Sequence, residues 1–522
     1  MPTAIFMGGA GICASLLLTN VYTSSSMSSF RFVHSETPLP ASLDPLDSDN
    51  ANNLHASQMV HRTLLEIGEG NALTSGVLSS FTYDPNTFQI AFKINPLARF
   101  SDGTSISSDD LAITIKRMAA KRPTFPVIRH INGIESWATK INPLAHRLEG
   151  LLVDEDGIRI QLARNVTNPL FRFALPLFGV VKASCVDLET NKLLESCPGS
   201  GYYQLERKEG MSLHFVVRSE FDDKRPVQMP DRIVLEYLDR PVGPKDLERM
   251  NEGSYVVLAQ QYLMSPEEAK IQEKMKFSRV EQTNSRFSAF LLSPRGSAFA
   301  TSNCRRVFAE ALRANITLET ESAQREHSLF ARILPGFKSR EELKDGHPIT
   351  KSERAICLKR LEGQSIHWMP GRSNNVESFT KSLEKTVVEL KMKLTVLPFT
   401  SPKDQFEGFT SGKTDLLLGG SGFWAFDPVG DVQMLLTKGL HKPLTFISGD
   451  TQVQSILQDL EFLSDPTDRL SQLNQYLYDQ ALMNVYSHSK RVYLTKGPGV
   501  SSSIPVAITP PAPWQIFNVQ PD

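Results

Sequence analysis

An excess of charge of either sign is missing from this chain of 522 residues: Lys plus Arg number 56 and Asp plus Glu 57. Such a balance sets up no global field toward nucleic acid or anionic lipid. Cysteine is scarce, five in all. No Cys-x-x-Cys pair occurs, which argues against zinc ribbons and thioredoxin-like redox chemistry. Beyond the first thirty residues there is no apolar run of about 18, no fixed-period repeat and no low-complexity block. The motifs of catalysis are missing too: no His-Glu-x-x-His and no P-loop. Gly419-Gly420-Ser421-Gly422-Phe423 almost spells a Gly-x-Ser-x-Gly nucleophile elbow, but Phe423 takes the last glycine position. Eleven histidines are scattered without metal-ligand spacing. His61 and His367 read as satisfied structural histidines rather than ligands. Neither a catalytic residue, a metal site nor a cofactor is expected.

What is present begins with ordinary globular composition, 40% hydrophobic and 22% charged. The length exceeds what one small core holds and points to several domains. Ala4 to Val21 is apolar with Leu16-Leu17-Leu18 at its centre, and Thr23-Ser24-Ser25-Ser26 follows. This suits the h-region of a secretory signal peptide over residues 1–29, cleaved near Ser24 to Ser29, although no Lys or Arg precedes it. Ile12 stands where a lipoprotein signal needs a small residue before Cys13, so lipid anchoring is not expected.

Between Phe81 and Arg117 lies the most informative stretch. Thr87 to Ile94 alternates apolar and polar side chains, the period of a half-buried strand. Asp102-Gly103 then supplies a turn, because glycine takes positive φ at little cost. Ser107-Ser108-Asp109-Asp110 offers capping oxygens and early-turn acids to a helix through Leu111, Ile113, Ile115 and Met118. The order of strand, Phe-Ser-Asp-Gly turn and capped helix resembles the signature of the family 5 solute-binding proteins, the extracytoplasmic receptors of peptide and nickel ABC importers. Leu43-Asp44-Pro45, Cys197-Pro198-Gly199-Ser200-Gly201-Tyr202, Cys304 to Leu312 and Gly412 to Leu418 are similar to further motifs of that family and occur in its order. A helix over Leu54 to Leu65, strands over Asp231 to Tyr237 and Val485 to Leu494, and a helix over Arg469 to Met483 complete the pattern.

The resemblance implies an α/β fold of the type II periplasmic-binding-protein class, two lobes joined by a hinge with a subdomain inserted into lobe I. Lobe I would comprise residues 30–72, 197–283 and 490–522, the insert 73–196, and lobe II 284–489. Four cysteines remain after the signal, and they allow three pairings. Cys185–Cys197 and Cys304–Cys357 would each fall within one lobe. Four free buried thiols are the other reading.

The binding candidate runs from Leu416 into Gly419-Gly420-Ser421-Gly422-Phe423-Trp424-Ala425-Phe426-Asp427-Pro428, a strand, a glycine-rich bend, two aromatic residues and an acid. It resembles the family segment that lines the cleft between lobes. Asp427 stands three residues after Trp424, the place of the acid that pairs with a peptide's α-ammonium in peptide-binding members. A carboxylate walled by aromatic rings attracts a cation more strongly than one in water. Gly420, Ser421 and Gly422 would present backbone groups to a peptide main chain. The adjoining Pro428 allows a second alignment, in which the ammonium partner is lost, and Asp427 and Trp424 also read as a helix-capping acid and a core residue. The resemblance thus implies a monomeric, exported receptor, in the periplasm or outside the cell envelope, that hands short peptides to the transmembrane subunits of an ABC permease. Nickel chelate, haem, opine or oligosaccharide would be alternative ligands. An exported hydrolase or a chaperone-like peptide holder is the reading from another class.

Overall fold

Phe287, Ala289 and Leu291 alternate with Phe290 and Leu292 along the chain, and in the folded protein they feed two different cores. A strand that is apolar at every position must be covered on both faces. The computed structural model shows how; it describes residues 29–34, 38–47, 51–68, 72–218, 229–240, 242–250, 254–259, 270, 273–295, 297–318, 323–332, 334–371, 376–422, 428–436, 447 and 449–496. Strand Ser278–Leu292 pairs antiparallel with Met483–Lys496 along most of its length, and with Leu416–Gly422 on its other side. Beyond Leu416–Gly422 the sheet continues in parallel fashion through Ser365–Trp368 to Lys393–Val396. Beyond Met483–Lys496 it continues through Ser254–Ala259, Phe30–His34, Arg232–Tyr237, Ser212–Val217 and Tyr203–Glu209.

The two long strands serve two separate pairs of cores. Met483 and Val485 join the cluster of Phe287, and Tyr486 joins that of Phe290. Further on, Tyr493 packs with Phe30, Phe32 and Tyr237, and Leu494 with Val33, Leu247 and Phe277. The pairing slips in register between Gln282 and Arg286, opposite Arg491 and Ser489. The change of register falls where one set of cores gives way to the other.

A third body is built on the four-stranded sheet Leu78–Asp84, Gln89–Ile94, Gly157–Gln161 and Leu151–Val153. Helix Ser108–Lys121 covers it, and its Leu111, Ile115 and Met118 are fully buried in that core. Ser107 caps the helix as its sequence predicts: its hydroxyl accepts from the Asp110 amide, and the Asp110 carboxylate accepts from the Ser107 amide at 2.7 Å. Asp110 accepts as well from the Ala183 amide at 2.7 Å, so the cap also ties down a distant loop. Gly103 takes φ +81 in the preceding turn. Asp102 there accepts from Lys182 at 2.6 Å. Burial pushes the Asp102 carboxyl up, but Lys182 and Thr104 outweigh it and hold it at about 2. Asp44 forms a buried pair with Arg117 at 2.5 Å, anchoring the segment after the first strand to this body.

Three expectations are corrected. The helix foreseen over Leu54 to Leu65 is Ala51–Val60, and Leu65 begins a short strand. The Val60 carbonyl accepts from the Gly201 amide at 2.8 Å instead of from a further helical turn. Gly199 and Gly201 make this approach feasible, since a Cβ at either would lie 2.2 or 2.4 Å from a carbonyl oxygen of Val60 or Met59. The second helix ends at Gln480, not Met483, because Ala481 turns to φ +47 and Met483 is needed in the long strand. Cys304 and Cys357 are joined in a disulfide with Cα atoms 4.9 Å apart, whereas Cys185 and Cys197 are separate thiols. The Cys197 thiol is pushed up by burial and by its hydrogen bond with Cys185.

Candidate functional site

Leu416–Gly422 crosses the middle of the sheet, with Gly420, Ser421 and Gly422 opposite Ser288, Phe287 and Arg286. A side chain at Gly419 would meet open space. Phe423, Trp424 and Asp427 lie outside the described residues. The chain is next seen as helix Pro428–Leu436, with proline at its start, where a missing amide hydrogen bond costs nothing. This helix leads to a cavity of about 540 Å³ between the insert and the C-terminal half.

One wall of the cavity carries Arg129 and His130, held on a single 3-10 turn Ile128–His130, together with Arg164. The other carries Gln433, then Thr451, Gln454, Ser455 and Gln458 from helix Thr451–Gln458, and Glu461 and Phe462 just beyond. Asp450 caps that helix, accepting from the amides of Gln452 and Val453 at 2.9 and 3.1 Å. The Tyr476 hydroxyl donates to the same carboxylate at 2.9 Å and so fixes where the helix begins.

Glu461 closes the cavity at one end. It accepts from Arg129 at 2.5 Å, and His130 Nε2 lies 2.7 Å from the same oxygen. Arg129 Nε is also 3.2 Å from His130 Nε2. A single nitrogen cannot donate and accept at once, and the shorter contact to the carboxylate places the proton on Nε2. Burial pushes the Glu461 carboxyl up, but His130 and the Arg129 charge outweigh that and hold it below the usual range. Thr167 reinforces the contact, its amide donating to the Glu461 carbonyl at 2.8 Å and its hydroxyl to the Leu463 carbonyl at 2.9 Å. Arg164 lies over the Phe462 ring at 4.7 Å, and the His130 ring meets the same ring edge-on. Deeper, Arg172 pairs with Asp431 at 3.6 Å, both buried. The Arg172 guanidinium occupies the space that a Cβ at Gly430 would fill.

Gln433 stands out chemically. It is 1% exposed, it lines the cavity, and neither atom of its amide has a hydrogen-bond partner among the described residues. A buried amide that makes no bond to the described residues offers a donor and an acceptor to a solute in the cavity. With hydroxyls, further amides and guanidinium groups alongside, the cavity suits a polar solute that carries hydrogen-bonding groups and at least one acid. Sequence reasoning missed these residues. Arg129 and His130 lie outside every motif read from the sequence, and nothing near Glu461 marks it as facing 129 and 130. Of the two histidines weighed earlier, His61 lies 3.3 Å from the Val180 carbonyl and His367 2.9 Å from Asp415. Among the described residues no group of three or more His, Cys, Asp or Glu could hold a metal ion.

Residues 72–342 match the sequence model of the bacterial extracellular solute-binding proteins, family 5 middle region. In three dimensions the chain is similar to the Haemophilus influenzae protein OppA in complex with the peptide RPPGFSPFR, at 12% identity and TM-score 0.74, covering 92% of this chain and 96% of that one. It is similar to NikA from Brucella suis in complex with Fe(III)-EDTA, at 15% identity and TM-score 0.72, covering 93% and 99%. The Escherichia coli murein tripeptide binding protein MppA matches at 14% identity and TM-score 0.71, covering 92% and 96%. At these identities the likeness is one of fold: two-lobed, α/β and type II in class. No curated protein matches the chain in sequence.

Proposed function

The chain belongs to family 5 of the bacterial extracellular solute-binding proteins, and we propose that it captures short peptides between its lobes and delivers them to the transmembrane subunits of an ABC importer. The observation that carries this reading is the cavity between insert and C-terminal half, with the unpaired Gln433 amide in its wall. About 540 Å³ lies within the range of small-ligand pockets. Two similar folds hold or bind peptides, OppA with a nonapeptide and MppA with murein tripeptide.

In this reading residues 30–72, 197–283 and 490–522 would form the first lobe, 73–196 its insert, and 284–489 the second. Strands Ser278–Leu292 and Met483–Lys496 are the hinge, because each spans two sets of cores and their register slips between. Rotation about those few residues opens the cavity. A solute held by both lobes favours closure by its extra contacts, and about 5.5 kcal/mol of differential affinity moves such an equilibrium from 1:99 to 99:1. Gly420, Ser421 and Gly422, with Phe423, Trp424 and Asp427 after them, would meet the peptide's N-terminal end. The protein acts as a monomer, without catalysis, outside the cytoplasmic membrane. No helix among the described residues is long and apolar enough to cross a membrane.

Arg129 and Arg164 in the cavity wall favour a second reading, a carboxylate-bearing solute other than a peptide. NikA with Fe(III)-EDTA and AgaA with agropinic acid show this fold around such ligands. Native mass spectrometry of the purified protein decides. Co-purified peptides of mixed sequence and similar length support the peptide reading, and a single non-peptide adduct replaces it with the second.

A further inference from the structure

Away from the cavity, a cluster of basic groups is buried in the C-terminal half. Helix Ser302–Asn315 places Arg306 and Arg313 on one face, seven residues apart, against helix Thr467–Gln480. Their guanidinium carbons lie 5.5 and 5.1 Å from the centre of the Tyr478 ring. The His327 ring stacks beside the same tyrosine, centroids 6.4 Å apart. All four residues are at most 6% exposed. Each has a polar atom without a hydrogen-bond partner among the described residues: Nε of Arg306, Nε of Arg313, Nδ1 of His327 and the Tyr478 hydroxyl.

Unmet donors around one ring are unusual in a folded core, where nearly all polar groups are paired. Arginine Nε can only donate, so only an acceptor meets it. The nearby carboxylates are already engaged. Asp479 lies 3.9 Å from Arg306 but also takes His347 at 2.6 Å and Gln475 at 3.1 Å, and Glu310 takes Arg354. Arg313 has Asn484 Oδ1 at 3.1 Å, a neutral acceptor. The local potential is strongly positive. His327 is pulled down to about 2 by its burial and then by Arg313, Arg340, Lys344 and Arg325, and burial brings the Arg313 guanidinium down to about 10.

We propose that Arg306, Arg313, His327 and Tyr478 form a buried site for a small inorganic anion, a halide such as chloride, which completes the core of the second lobe. Two Nε–H groups and a phenol O–H directed at one anion would give the charge-assisted bonds that the protein itself does not supply. The anion stabilises the lobe and takes no part in solute capture.

Bromide replaces chloride in such sites and scatters anomalously. Crystals of the full chain grown in sodium bromide are expected to show one bromide within hydrogen-bonding distance of Arg306 Nε, Arg313 Nε or the Tyr478 hydroxyl. Only water at that place would overturn the proposal. In solution, the unfolding midpoint is expected to rise in chloride against gluconate of equal ionic strength, by about 5 °C for a hundredfold excess over the dissociation constant. Arg313→Leu removes that rise, and the same rise in the variant would also overturn the site. Should Arg313→Leu fail to fold, Tyr478→Phe takes its place, with a weakened chloride response expected and an unchanged one counting against the site.

Discussion

Around Glu461, Arg129 and His130 from one half of the chain meet a carboxylate from the other, while two arginines and a histidine crowd the Tyr478 ring and the acids nearby are engaged elsewhere. On the proposed division into lobes, the first centre lies between bodies that turn about a hinge. Its partners return to water when the cavity opens, so their charges are balanced and the contact is reversible. The second lies within one body, where no motion brings water, and the imbalance has to be met by something that stays. Opposite charges serve a moving interface. An excess of one sign inside a core calls for a resident counter-ion.

The largest test leaves both centres in place and unties the scaffold beneath the second. The Cys304–Cys357 bond tethers the helix that carries Arg306 and Arg313. On the chain-entropy account, closing a loop with a separation of 53 residues stabilises by about 4 kcal/mol. Cys357→Ser is expected to lower the urea midpoint of the C-terminal half by that order and leave the four-stranded insert unchanged, read by hydrogen exchange in each body. Equal loss of protection in both would merge what is contrasted here.

Glu461→Ala breaks the balanced contact. Arg129 is partly exposed, so the cost falls below that of a fully buried pair, about 2 kcal/mol. That free energy is lost from the closed state, so solute affinity should fall by about thirtyfold, and small-angle scattering should show a larger radius for the free protein. An unchanged radius and affinity would mean the contact does not report closure. Asp427→Ala is expected to weaken peptides with a free N-terminus about tenfold, and N-acetylated ones hardly at all. Equal weakening of both, measured by calorimetry, would remove Asp427 from the ammonium site.

Acid destabilises through both centres, and the pH range of the response separates them. Glu461 has a lowered value in the folded state, so its contribution is complete above the ordinary glutamate range and disappears as pH falls below it. His327 is neutral and buried, with a value near 2 against 6.5 in the unfolded chain. The unfolded state therefore takes up a proton first, and stability falls from about pH 6.5 downward, by about 1.4 kcal/mol per unit at most. His34 and His61, lowered by burial to about 3 and 4, add to the same slope. Thermal unfolding followed from pH 7 to 5 should lose part of its slope in His327→Phe, and a slope unaffected by that change would count against a neutral buried ring.

The elements legible in the sequence are those whose signals are local. The Gly103 turn, the Ser107–Asp110 capping box and the strand Gln89–Ile94 follow from neighbours within a few residues. The site was legible only in part. Gly420, Ser421 and Gly422, read from the sequence as a bend after the strand, instead continue it opposite Ser288, Phe287 and Arg286, and Arg129, Arg164, Gln433 and Glu461 carry no local mark of facing one another.

From the sequence alone come the family's motifs in order, the α/β class and the positions of most strands and helices, because turn chemistry, capping and apolar period act over a few residues. The tertiary structure alone decided that Val60 ends its helix on Gly201, that Cys185 and Cys197 meet as thiols without a disulfide, and which side chains wall the cavity. Those outcomes depend on groups far apart in the chain, such as Glu461 and Arg129, which meet only after three bodies have packed and the sheet between them has been completed.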